Sequence, residues 1–99
     1  VLTRSATYPD RETAQWATQA VVSQNEQLVH RWLTRADRER LTIEAHWPSR
    51  AEPVGQVLPQ ATMLAGHPPV DVRAARVVLK RAPDSALGFT VHATFPILP

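Results

Sequence analysis

Cysteine is absent from this chain of 99 residues. That excludes disulfides and every zinc site built on thiolate, and it points to a protein that works in a reducing place or crosses compartments without covalent staples. No window approaches the roughly 18 apolar residues that a membrane-spanning helix needs, so no membrane span is expected. The N-terminus lacks the basic segment followed by an apolar one that marks a signal peptide. It opens on Val1 rather than Met, which reads as a processed product or as part of something longer. Lysine is nearly missing: Lys80 is the only one among 11 basic residues, the rest being arginine. Arginine suits bidentate phosphate contacts, although a GC-rich genome produces the same bias with no function attached. Four histidines, His30, His46, His67 and His92, are scattered at wide spacing, and no two of them form a pair with a nearby carboxylate at ligand spacing, so neither a metal site nor a cofactor is expected. Nothing in the sequence sets an oligomeric state.

What is present fits one domain over residues 1–99, with 43% apolar and 20% charged residues. A chain of this length buries roughly 60–70% of its unfolded surface, enough for a single modest core. Residues 1–9 read as extended or irregular. Asp10 is a good N-cap, with Glu12 in the first turn facing the positive end of a helix dipole. Ala14, Ala17, Val21, Leu28 and Trp32 recur at helical spacing, with Trp16, Ala20, Val29 and Leu33 widening the stripe. Ser23-Gln24-Asn25 interrupts it, which predicts two helices over 10–23 and 25–36. Trp16 and Trp32 read as core anchors.

The period then changes to two. Leu41, Ile43 and Ala45 alternate with Thr42, Glu44 and His46, the pattern of a half-buried strand. A short strand follows over 54–58, then a loop over 59–69 punctuated by Gly66 and Pro68-Pro69. A third strand is expected over 72–81, with Val77 and Leu79 on one face and Arg76, Val78 and Lys80 on the other. A fourth is expected over 89–95, closed by Pro96. There are no internal repeats and no low-complexity tract. Helices first and strands afterwards predict an α+β domain, with two N-terminal helices packed on a curved antiparallel sheet.

Three segments carry a family resemblance. They are Tyr8-Pro9-Asp10-Arg11-Glu12-Thr13-Ala14, then Pro53-Val54-Gly55-Gln56-Val57, then Arg76 to Pro96 with its Arg-Val-Val-Leu-Lys-Arg opening and its Phe-Pro close. In this order the chain resembles the ribonuclease A-like toxin domain found at the C-terminus of bacterial contact-dependent growth inhibition proteins and other polymorphic toxins. The resemblance implies a ribonuclease A-like fold without disulfides and a metal-independent endoribonuclease. In the implied reaction a ribose 2′-hydroxyl attacks the adjacent phosphorus. It also implies an RNA substrate, a cognate immunity protein, and delivery as part of a larger secreted or cell-surface protein that acts in the target-cell cytoplasm.

The chain departs from the family's pattern in two places. The family carries a His and an Arg in a helix before the Tyr-Pro-Asp segment, and this chain begins after that helix. The family's Thr and Tyr before the final Pro match Ala93 and Phe95 here, and neither side chain can carry a proton. Thr94, between them, points to the opposite face of a regular strand. A bulge or a one-residue register change would turn His92 and Thr94, which share a face with Thr90, into the cleft. On this reading His92 and Thr94 are the expected catalytic residues, His92 because an imidazole titrates near neutrality. Arg76 and Lys80 are the expected RNA-phosphate partners. The alternative is a catalytically degenerate module of the same fold that binds RNA or protein. His30, beside Arg31 and Arg35, reads as a solvated helix residue, and Glu44 with His46 as a chance acid–base pair on the polar face of a strand.

Overall fold

The computed structural model describes residues 4–35, 38–59, 66 and 68–98. Strand β1 (Arg4–Thr7) leads into helices α1 (Arg11–Gln24) and α2 (Glu26–Thr34). Five strands follow: β2 (Arg40–His46), β3 (Gly55–Pro59), β4 (Val70–Val72), β5 (Ala74–Arg81) and β6 (Phe89–Pro96). The α+β expectation holds, with two three-stranded antiparallel sheets in place of one curved sheet. Their orders are β1-β3-β4 and β2-β5-β6.

Local chemistry explains the element boundaries. The Asp10 carboxylate accepts from the Thr13 amide at 2.7 Å, capping α1. That bond holds the Asp10 carboxyl below its usual pKa. Asn25 separates the helices. Its side-chain amide donates to Val21 O at 2.8 Å and to Glu44 O at 2.9 Å, so one residue closes α1 and ties it to β2. At the far end of α2, the Arg81 guanidinium donates to the carbonyls of Trp32, Leu33, Arg35 and Arg38. A cation against the negative end of the helix dipole, with donors for the Trp32 and Leu33 carbonyls, is a strong stop signal.

The helices cover one face of β2-β5-β6. Ala17, Val21, Val29 and Trp32 bury against Ile43, Ala45, Ala75, Val77 and Leu79. The sheets meet at Gly55, where a side-chain carbon would lie 2.5 Å from Thr7 O and 2.6 Å from Pro96 Cγ, so only glycine admits the approach. The single strand expected over 72–81 is two strands, because the chain changes sheet at Arg73. Trp47 N donates to the Arg73 carbonyl at 2.7 Å, while the Arg73 side chain donates to Arg50 O and Ala51 O. The residues read as extended or irregular before α1 include strand β1, which pairs with β3. Most of the loop expected over 59–69, with His67, lies outside the described residues.

Trp32 is a core anchor as expected, whereas Trp16 remains 42% exposed. Trp16 instead packs tilted against Trp47, with ring centroids 4.9 Å apart, under the Arg50 guanidinium at 4.5 Å. A helical stripe wide enough to include Trp16 runs past the edge of the sheet it packs on, and the outermost ring finds partners from the chain after β2.

Candidate functional site

The last strand is irregular, and the irregularity decides which side chains meet. From its start, β6 pairs Phe89 with Arg81, Thr90 with Lys80 and Val91 with Leu79. Beyond the bulge it pairs Ala93 with Val78, Thr94 with Val77 and Phe95 with Arg76. His92 is the extra residue. One inserted residue exchanges the faces of everything after it. Thr94 therefore joins Val77 and Leu79 on the helix-facing side, while Ala93 and Phe95 share the open side with Val78 and Arg76. His92 is exposed on this outermost strand of its sheet, and it makes no hydrogen bond or ion pair with a described residue.

Thr94 enters a chain of hydroxyls. Its Oγ1 lies 2.8 Å from the Tyr8 hydroxyl and 2.8 Å from Thr18 Oγ1, and Thr18 donates to Ala14 O at 2.7 Å. Each hydroxyl has one proton, so the direction is fixed. Thr18 spends its proton on a carbonyl that can only accept. Thr94 must then donate to Thr18, and Tyr8 must donate to Thr94. Burial raises the Tyr8 pKa, with the Thr94 and Thr18 hydroxyls pulling it back in part. Thr94 thus has no spare proton, and it pins β6 to α1 and to Tyr8, two residues before the α1 cap.

The open face of the same sheet is polar. The Glu44 carboxylate accepts from Arg76 at 2.6 Å, and the Arg76 guanidinium stands 6.0 Å from the Phe95 ring. Glu44 is thereby committed to Arg76, and no hydrogen bond or ion pair joins it to His46, in keeping with the reading of that pair as chance. Lys80 sits opposite Arg40 on β2 and opposite Thr90 on β6, and neither cation pairs with a described carboxylate.

The four expected residues therefore do not form one cluster. Arg76 and Lys80 line the open face, His92 stands at the outermost strand, and Thr94 turns toward the helices. In a regular strand His92 and Thr94 would share a face with Thr90; the bulge, one of the two changes considered from the sequence, turns Thr94 toward the helices and parts it from Thr90. Arg40 was missed; its place beside Lys80 depends on strand register, which no local pattern records. His30 is exposed as expected, yet it also lines a cleft of about 1190 Å³ between the helices and β6, with Thr18, Val22, Leu33, Phe89 and Val91. Among the described residues, no group of three or more His, Asp or Glu side chains is gathered as a metal site would require. Among the described residues, no helix is long and apolar enough to cross a membrane.

The family model described as the bacterial CdiA-CT RNase A domain matches residues 1–96. Among solved structures, the chain is similar to one in the crystal structure of the CdiA-CT/CdiI complex from Y. kristensenii. The identity is 18%, the match covers 99% of this chain and 80% of that one, and the TM-score is 0.86, a likeness of fold. No curated protein matches the chain.

Proposed function

Because this chain belongs to the bacterial CdiA-CT RNase A domain family, we propose that it is the RNA-cleaving toxin domain of a larger contact-dependent growth inhibition protein. It is delivered from the cell surface and acts in the cytoplasm of a competing bacterium. The observation that carries the reading is the strip of unburied cations on β5, Arg76 and Lys80, bordered on β6 by an exposed imidazole with no partner among the described residues. RNA supplies its own nucleophile, so the protein needs only to hold the phosphate and move protons. Lys80 and Arg76 hold the phosphodiester. His92 takes the 2′-hydroxyl proton as that oxygen attacks phosphorus, and the 5′-oxygen leaves with a proton from water at this open edge. Lys80 is the stronger phosphate partner, since Arg76 is already shared with Glu44. Thr94 acts indirectly, holding β6 in place through the hydroxyl chain. No metal enters this scheme. A cognate immunity protein covers the strip and blocks access to it; the similar fold noted above is from a protein crystallised with CdiI.

The test is incubation with total RNA in excess EDTA. Cleavage is expected, with a loss of about 10²–10⁴-fold in His92→Ala. RNA left intact by the unaltered protein would sink the enzymatic claim. A second reading, a degenerate module that binds without cleaving, is favoured by Ala93 and Phe95, which place two side chains without a titratable proton next to the strip. It requires that RNA be bound and not cut, and that His92→Ala leave growth inhibition unchanged.

A further inference from the structure

We infer that Arg40 and Lys80 form a two-cation clamp for the phosphodiester backbone of RNA, with the Thr90 hydroxyl as a third donor in the same row. This rests on the ribonuclease reading and identifies a substrate-binding residue that it did not include. The evidence is a contrast between two rungs of the β2–β5 ladder. At one rung Glu44 faces Arg76, and the sheet neutralises its own cation at 2.6 Å. Four residues further along β5, on the same open face, Arg40 faces Lys80.

Side chains directly opposite in an antiparallel pair stand about 4.5–5.5 Å apart at Cβ, and like charges there repel. Neither cation has a carboxylate partner among the described residues. A protein that can set an acid against a cation at one rung leaves two cations face to face at another. An anion between them removes the repulsion and satisfies both donors at once. Thr90 lies on the other side of Lys80, so the row Arg40–Lys80–Thr90 crosses three strands, about 10 Å at the usual strand spacing. A guanidinium, an ammonium and a hydroxyl in line suit phosphate oxygens along a strand of nucleic acid. His92 follows Thr90 by two residues on β6, about 7 Å along the strand, so a backbone held in this row passes beside the exposed imidazole.

The clamp is tested with a single-stranded DNA oligonucleotide, which lacks the 2′-hydroxyl and cannot be cleaved by this chemistry. Its affinity for the unaltered domain, Arg40→Gln and Lys80→Gln is measured across a salt series. Each substitution should weaken binding about tenfold at low salt. Each should also lower the slope of log affinity against log salt by about 0.7, the value for one phosphate contact on a single strand. Melting temperature serves as the folding control, and neither substitution should lower it, because each removes a repulsion. Unchanged slopes in both variants would overturn the clamp and leave the two cations as solvated surface charges. Thermal stabilisation by inorganic phosphate with no binding of the oligonucleotide would overturn the backbone assignment. Oligonucleotide binding with the expected slope changes, in a protein that leaves RNA intact, would keep the clamp and sink the ribonuclease reading alone.

Discussion

The two faces of the β2-β5-β6 sheet are built from the same three strands, yet one holds the fold together and the other does little for it. On the helix side, Ile43, Val77 and Leu79 are almost wholly buried against α1 and α2. On the open side, Arg40, Glu44, Arg76 and Lys80 remain in contact with solvent. The difference shows where change is tolerated. Where the helices cover it, the inner face is constrained by packing. The outer face is released from that duty and can collect charge.

The comparison can be broken most severely from the inside. Leu79→Ala leaves a cavity under α1 and should cost about 2–5 kcal/mol, read as a lower midpoint in urea with an unchanged slope. A loss under 1 kcal/mol would mean that the helix layer is not the source of stability.

Thr94 is the next test, since the bulge moves it from one face to the other. Thr94→Val leaves the part-buried Tyr8 hydroxyl without its acceptor and should cost about 1–3 kcal/mol, while Thr94→Ser recovers most of it. If valine and serine behave alike, the hydroxyl chain is not holding β6. The same chain sets a pH dependence. Burial lifts the Tyr8 phenol above its ordinary 10.0. Its contribution to stability is therefore complete below that value and is lost as pH rises through the folded-state pKa. The unaltered protein should lose stability on that alkaline limb more steeply than Tyr8→Phe, in parallel denaturant titrations.

The smallest effect is expected on the open face. Glu44→Gln removes an exposed ion pair, and should change stability by less than about 1 kcal/mol. It frees Arg76, however, and should tighten oligonucleotide binding at low salt. Looser binding would show that Glu44 orients Arg76 for its ligand instead of competing for it.

Some of this was legible in the sequence because the causes are local. Asp10 caps a helix wherever it is followed by one, Asn25 interrupts one, and the alternation through Val77 and Leu79 assigns faces without any partner strand. The candidate site was legible by residue type but not by arrangement. Arg40 lies far from Lys80 in the chain, and only strand register brings them opposite each other. The face of Thr94 turns on a single inserted residue at His92, which alternation alone cannot locate. Trp16 fits the helical stripe, yet the sheet beneath α1 ends before it. Each miss depended on how two distant segments align.

The guanidinium groups of Arg50, Arg73 and Arg81 have a consequence for a chain without cysteine. Arg50 holds Glu52 O and Pro53 O, Arg73 holds Arg50 O and Ala51 O, and Arg81 gathers the carbonyls at the end of α2. Each fastens irregular backbone to a strand or a turn, the service that a cross-link renders in a small oxidised domain. Unlike sulfur, these fasteners need no oxidant and have no wrong partner to be trapped with. A fold fastened in this way does not depend on the redox condition around it.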